Sequence, residues 1–310
     1  MKKHRPPNTV HCTLSVVLAV RNEEENIGRC LSSITKIADE IVIFDERSTD
    51  NTVEIAKKFG AKVYPHDRTG YVEPARNFAI SKATGDWILL LDADEEITPS
   101  LQAQLTQLTQ QNQVSFARLP RQNLIFNQWI QHSRWWPDYN IRFFKKGAVT
   151  WDETIHSVPM TRGEGYDLPA EEKYALIHHH YQTISQYVQR LDRYTTQQLI
   201  TLRTAGYEFA WQDLLTKPSA EFFSRYFAAE GFKDGLHGLA LALLQSISEL
   251  VLYLKAWEAE KFEEHKISVA AVDETTKKLH RDLLWWLAET FRKQGKLGKS
   301  ITVKLRRLFS

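Results

Sequence analysis

DWILLLDADEE, residues 86–96, is the stretch on which the fold turns: five apolar side chains in succession, 87–91, stop abruptly at Asp92 and Asp94. An unbroken apolar run of that length reads as a strand buried on both faces, as the strands of parallel α/β sheets are. EIVIFDERSTDNT, residues 40–52, has the same design one βαβαβ unit earlier, with 41–44 ending in Asp45. Carboxylates at the carboxyl ends of buried strands sit where open α/β sheets bind ligands. Two of them one residue apart can place hard oxygens around one divalent cation. Ending five apolar residues in two acids brings no packing benefit, and their repulsion needs a cation to relieve it. The pattern points to an enzyme acting on an activated phosphate donor.

Outward from these strands the first hundred residues alternate. Residues 14–20 and, more weakly, 61–64 read as further strands, with helical patterns at about 24–37, 50–59 and 73–83 between them. Asp50 is placed to cap the second helix and Gly60 to end it, with Ile55 and Phe59 on one face. Thr98-Pro99 starts another helix, with proline at the tolerated first position. Alternation of this kind predicts a mostly parallel twisted sheet flanked by helices, an α/β fold. From 113 to 160 the pattern breaks into short strands and loops; residues 127–157 carry four tryptophans and two histidines, a make-up suited to a substrate site.

After 180 the chain turns helical. Ile184, Tyr187, Val188, Leu191, Tyr194 and Leu202 keep helical spacing, and 232–257 forms a longer apolar face. His237, Gln245 and Glu249 interrupt that face, which favours a packing or interfacial helix over a membrane span. Lys293, Lys296, Lys299, Lys304, Arg306 and Arg307 follow with no acid among them: a solvated end, or a segment drawn to anionic lipid at about 1 kcal/mol per cation. The division expected is a catalytic domain over 1–215 and a helical extension over 216–310.

The chain's 310 residues and net charge of +2 do not point to nucleic acid. Cys12 and Cys30 are the only cysteines, so neither a disulfide framework nor a cysteine zinc site is supported. MKKHRPP before LSVVLAV imitates a leader, but the apolar run is short and leads straight into RNEEEN; a buried first strand and a cytoplasmic location are the expectation. No GxGxxG follows a strand, and GKLGKS at 295–300 has no strand before it and its first glycine too close for a P-loop. His178-His179-His180 looks like a metal tract, yet neighbours on one strand point to opposite faces, so at most one or two face any site.

VVLAVRNEEENI (16–27), DERSTDNT (45–52), EPARNFAISKATGDWILLLDADE (73–95) and PDYNIRFFKKG (137–147), in that order, resemble family 2 glycosyltransferases of the GT-A fold. More narrowly they resemble bacterial β-glycosyltransferases of lipopolysaccharide core and related surface glycans. HHHYQTISQYVQRLDRYT (178–195) and GFKDGLHGLALALL (231–244) match that subgroup in style. The resemblance implies a nucleotide-sugar donor, UDP-glucose being typical, and Mg2+ or Mn2+ as cofactor. The implied acceptor is a lipid-linked or cell-surface glycan, reached by surface contact at the cytoplasmic face of the inner membrane; a homodimer is admitted. It implies that Asp45 accepts from the uracil or ribose, that Val20 and Asn22 line the base pocket, and that Arg76 faces the nucleotide. Asp92 would approach the ribose or metal, Asp94 would bind the cation bridging the diphosphate, and Glu96 would be a further ligand.

Such a reaction leaves negative charge on the departing diphosphate, for which Arg142 and His156 are candidate partners. A carboxylate takes the acceptor's proton as C1 is attacked, which inverts the anomeric centre. Relatives often carry that acid just after the histidine of the TIH segment, where this chain has Ser157. Asp138 is then the favoured base, beside Trp135-Trp136-Pro137, with Asp152 and Glu153 as the other acids nearby. Arg47 replaces a glycine common in the relatives' DGS turn, which predicts a right-handed backbone there. Two rivals stand beside this reading: a glycan-binding or scaffold protein on the same fold, and a nucleotidyltransferase, which would want a glycine- and lysine-rich loop where RNEEEN stands.

Overall fold

The apolar runs form Leu14–Val20 (β1), Glu40–Asp45 (β2), Lys62–Pro65 (β3) and Trp87–Leu91 (β4), parallel and hydrogen-bonded in the order β3-β2-β1-β4. They belong to a computed structural model that describes residues 12–67, 72–111, 113–151 and 159–308. The crossovers are Ile27–Ile34 (α1), Thr52–Lys58 (α2) and Val72–Lys82 (α3). Along each strand the side chains alternate between two cores. Val16, Leu18, Ile41, Ile43, Leu89 and Leu91 enter one; Val17, Val42, Phe44, Ile88 and Leu90 enter the other. Burial on both faces explains why the runs are continuous rather than alternating, and each such side chain is worth about 1.5–3 kcal/mol.

The local signals are met. Thr98 accepts from the Leu101 N–H at 3.1 Å, with Pro99 opening Pro99–Leu108 (α4). Gly60 is left-handed after α2, and Ile55 and Phe59 pack on the first core. Asp50 accepts from the Thr52 N–H at 3.0 Å, although the flanking residue of the helix is Asn51. At Gly85, which leads into β4, an added Cβ would lie 2.7 Å from the Ser15 nitrogen, so no other residue fits without movement.

After Glu95–Ile97 (β5) come short strands: Val114–Leu119 (β6), Arg121–Ile125 (β7), Gln128–Trp129 (β8), Asn140–Lys145 (β9), Val149–Thr150 (β10), Met160–Thr161 (β11), Glu164–Asp167 (β12) and Leu176–Tyr181 (β13). The main sheet runs β12-β6-β9-β4-β1-β2-β3, with β9 antiparallel to β4 and β6. In a second sheet β13 lies antiparallel to β5, with His178 opposite Glu95.

The chain divides into two compact units, and not at 215. One comprises the residues up to Leu124 with Pro137–His180; the other comprises Ile125–Trp136 and everything from Tyr181 on. The second holds Ile184–Thr204 (α5), Asp213–Phe223 (α6), Gly235–Ala259 (α7), Val269–Lys293 (α8) and Leu297–Leu308 (α9). Ile125, Ile130, Tyr187, Leu191 and Leu241 share one core there, which draws both α5 and the 125–136 segment into the helical unit. Residues 231–259 are long and apolar enough to cross a membrane by length and composition alone. In this unit α7 buries Leu241, Ala242, Leu252, Tyr253 and Ala256, and its Gln245 donates to the Tyr187 hydroxyl. The false P-loop is a helix end: Gly295 is left-handed, and the Lys296 N–H returns to the Phe291 carbonyl at 2.8 Å.

Glu40 ties the lower edge of the sheet. It accepts from Ser15 Oγ at 2.6 Å, Lys62 Nζ at 2.7 Å and the Thr84 N–H at 2.7 Å. Burial works against its charge, but Lys62, Ser15 and Thr84 outweigh that and pull its carboxyl down to about 2. A depressed folded-state value gives stability that is present above the unfolded value of about 4.3 and lost as pH falls toward 2. Glu40→Gln is expected to cost about 2 kcal/mol in urea denaturation at pH 7. The difference from the wild-type chain should shrink steadily as the titration is taken to acid.

Candidate active site

The parallel strands run β3-β2-β1 to one side of β1 and reach β4 on the other, so the sheet's topological switch lies between β1 and β4. Loops from the carboxyl ends of β1 and β2 are laced together there. Asp45, opposite Val20 in register, is buried, and both its oxygens lie 3.2 Å from the Ser48 N–H. Ser48 Oγ accepts from the Asn22 N–H at 3.0 Å, and Asn22 Oδ1 accepts from the Thr49 N–H at 2.8 Å. Asn22 is exposed at this tip. Val20 points into the core, and its carbonyl accepts from the Glu46 N–H at 3.0 Å. The right-handed expectation for Arg47 is overturned: its φ is +55°, because the turn must bring the Ser48 N–H back onto Asp45. Its guanidinium pairs with Asp67 at 2.5 Å.

The acids at the tip of β4 have distinct partners. Glu95 is wholly buried; it takes Arg142 at 2.7 Å, Arg121 at 3.5 Å and the Asp92 N–H at 2.9 Å. Arg142, itself buried on β9, also pairs with Asp92, and Arg76 reaches Asp92 at 3.5 Å. Burial would raise the Asp92 carboxyl, but Arg142 and Arg76 hold it well below the usual carboxylate range. Burial likewise opposes the charge on Arg142, and Asp92 and Glu95 outweigh it and raise its value. Arg76 also lies over the Trp151 ring at 5.8 Å. The Nε atoms of Arg76 and Arg142 are both buried without a hydrogen-bond partner.

The expected metal set of Asp92, Asp94 and Glu96 is not gathered at one point. Asp92 is committed to arginines, while Glu96 pairs with Arg29 at 3.7 Å and His179 at 3.4 Å. Burial, then the Arg29 charge, holds His179 below its ordinary value. Asp94 instead lies 3.5 Å from His178 Nε2, and His180 Nδ1 lies 3.2 Å from that same nitrogen. Two of the three histidines thus share a face, as strand alternation requires. Among the described residues no three His, Cys, Asp or Glu side chains form a ready-made metal cluster. His178 and His180 are functional candidates that sequence reasoning set aside; the pairing of β13 with β5, which puts them beside Asp94, has no local signature.

Asp138 accepts from Arg121 Nη2 at 2.5 Å and Nε at 2.9 Å, and from Asn123 Nδ2 at 3.2 Å. Burial would raise it, but the Arg121 charge and these hydrogen bonds hold it below its ordinary value. A carboxylate so stabilised is a weak proton acceptor, which counts against its role as base. Since Asn123 Nδ2 faces Asp138, its Oδ1 faces His178 Nδ1 at 2.6 Å. His178 Nδ1 is therefore the donor in that bond, and its Nε2 faces Asp94. Asp152, Glu153, His156 and Ser157 lie outside the described residues.

The profile described as glycosyl transferase family 2 matches residues 15–162. An uncharacterized glycosyltransferase of Rickettsia typhi is 30% identical over 254 residues, covering 79% of this chain and 87% of that protein. The uncharacterized glycosyltransferase YibD of Escherichia coli is 34% identical over 113 residues, 34% of this chain and 33% of its own length. Among solved structures, glucosyl-3-phosphoglycerate synthase of Mycobacterium tuberculosis overlaps at 25% identity with a TM-score of 0.32. That overlap covers 38% of this chain and spans about half, 50%, of that enzyme. It is too partial for any detail to be carried across.

Glu95 is the residue whose loss this geometry penalises most. Replacing it with glutamine leaves the buried Arg142 only Asp92 as an ion-pair partner among the described residues, and breaking a buried pair costs about 3 kcal/mol. Glu95→Gln is expected to lower the urea midpoint accordingly. A variant as stable as the wild-type chain would show that Arg142 does not depend on it.

Proposed function

The chain belongs to glycosyl transferase family 2, a glycosyltransferase with the α/β GT-A fold and a helical unit attached, and from that premise we propose that it moves a sugar, with inversion, from a uridine diphosphate sugar such as UDP-glucose to a lipid-linked or cell-surface glycan acceptor. Synthesis of lipopolysaccharide core or a related polysaccharide is the setting the motifs favour, at the cytoplasmic face of the inner membrane. The observation that carries the donor reading is the placement of Asp94 and His178 together at the carboxyl end of β4, next to the switch point of the sheet.

The charge balance supports a divalent ion there. Five carboxylates in this contact network, on Asp92, Asp94, Glu95, Glu96 and Asp138, meet four guanidinium groups, on Arg29, Arg76, Arg121 and Arg142. A diphosphate entering this network finds no surplus of guanidinium groups among the described residues, which favours an accompanying cation. Mg2+ and Mn2+ favour oxygen donors, and Mg2+ in particular binds through one or two carboxylates with substrate phosphates rather than in an all-protein cage. Asp94, with His178 Nε2 3.5 Å from it, fits that requirement, and these two residues would hold the ion. When bound, the ion supplies Lewis-acid neutralisation of the leaving diphosphate. The orphan Nε donors of Arg76 and Arg142 are suited to diphosphate oxygens.

Asp45 keeps acceptor capacity beyond the Ser48 N–H and would take a hydrogen bond from the uracil or ribose. Asn22, exposed on the facing loop, would border the base. The proton acceptor falls to Asp152 or Glu153, since Asp138 is occupied by Arg121. The nucleotidyltransferase reading loses ground because the loop after β1 holds RNEEEN in place of a glycine- and lysine-rich cradle. The scaffold reading is separated by activity.

Manganese-dependent hydrolysis of UDP-glucose is expected from the wild-type chain. Asp94→Ala should reduce it by about 10²-fold or more with the melting temperature retained, on the scale at which single electrostatic stabilisers act. Full hydrolysis by that variant would remove Asp94 from the site. Asp45→Ala should weaken UDP binding in calorimetry by about 10-fold or more, the worth of one hydrogen bond to a charged group. Unchanged nucleotide affinity there would discard the Asp45 assignment.

A further inference from the structure

The helix α9 is built with two faces. Ser300 and Val303 are buried, and Val303 shares a small core with Leu284 and Ala288 of α8, against which Leu287 and Phe291 also pack. Arg307 Nε donates to the Arg281 carbonyl at 3.1 Å. That inner face is satisfied within the unit. The outer face carries Leu297, Ile301, Leu305 and Leu308, spaced as one helical stripe, and each is more than half exposed, from 53% to 76%. A stripe turned away from the core in this way contributes nothing to folding and exposes contiguous apolar surface, which marks an interaction site.

Its charge decides the occupant. Residues 292–307 hold seven cations and no acid, in a chain whose net charge is only +2. Arg292 pairs with Glu289, but Lys293, Lys296, Lys299, Lys304 and Arg306 make no ion pair with any described residue. A second copy packed stripe to stripe would bring these cations together without a counter-charge, which is unfavourable. Nucleic acid would use the cations and leave the stripe in water. A bilayer with anionic headgroups uses both at once, since apolar side chains enter the headgroup boundary while long cationic side chains stay at its level. Twelve residues extend about 18 Å, well short of a span of about 30 Å, so the helix lies in the plane of the surface.

We propose that α9 is an in-plane amphipathic anchor that docks this enzyme on an anionic lipid surface. The proposal draws on the glycosyltransferase reading only for its purpose, to keep the enzyme beside a lipid-linked acceptor; the binding itself does not depend on it.

The test is co-sedimentation of the full chain with vesicles of phosphatidylcholine, alone or mixed with phosphatidylglycerol. The wild-type chain is expected to bind the mixed vesicles, to bind the neutral ones far more weakly, and to be released by salt. Ile301→Asn with Leu305→Asn, and separately Lys304→Gln with Arg306→Gln, should each reduce partition by about tenfold or more. Both variants should keep the wild-type melting temperature and UDP-glucose hydrolysis. Absence of binding to the mixed vesicles, or a stripe variant that binds them as well as the wild-type chain, overturns the proposal. So does a wild-type dimer in light scattering that the stripe variant turns into a monomer while neither binds vesicles. Vesicle binding without any sugar-nucleotide hydrolysis would sink the functional reading and leave the anchor standing, so the two failures are distinguishable.

Discussion

A carboxylate with no contact to water must be neutralised where it stands, and Glu95 imposes that demand on everything around the tip of β4. Arg142 and Arg121 meet it from β9 and β7, and the Asp92 N–H closes the turn onto the same group. Once Arg142 is pinned by Glu95, its remaining reach goes to Asp92, and Arg76 joins there. Asp92 is thereby spent on holding Arg142 and Arg76. Asp94 meets His178 on β13 instead. The division of labour among four acids in five residues follows from one of them being dry.

Much of this is legible in the sequence itself. Strands β1, β2 and β4 were legible because burial on both faces leaves only apolar residues along them, and Thr98-Pro99 and Gly60 mark helix ends by local chemistry. The acids were legible as a cluster but not as individuals. DADEE offers no local sign that Glu95 is the buried one, since that depends on arginines 26 and 47 residues further along. Alternation predicts that His178 and His180 share a face, yet the strand they oppose is chosen by the second sheet. Segment 125–136 reads as an irregular loop because its allegiance rests on Ile125 and Ile130 meeting a helix a hundred residues away. Arg47 misled for a further reason: the backbone conformation there is set by Asp45 needing the Ser48 N–H, and a left-handed arginine costs only about 1–2 kcal/mol.

The line from Arg121 through Asp138 and Asn123 to His178 gives Asp138 a different job from the one its position in a tryptophan-rich loop invites. A base must be free to accept a proton, and Asp138 gives one oxygen to Arg121 and Asn123 together. What that commitment achieves is orientation. With the Asn123 amide held by Asp138, its oxygen accepts from His178 Nδ1, which sets the ring with Nε2 toward Asp94. Its Nε2 lies 3.5 Å from the Asp94 carboxylate, and His180 Nδ1 lies 3.2 Å from the same nitrogen. A divalent ion bound by Asp94 and His178 would use Nε2 in the manner of histidine ligands whose far nitrogen is fixed by a hydrogen bond. Under the proposed function Asp138 would therefore act on the donor side of the reaction through a histidine, which would leave the acceptor's proton to Asp152 or Glu153.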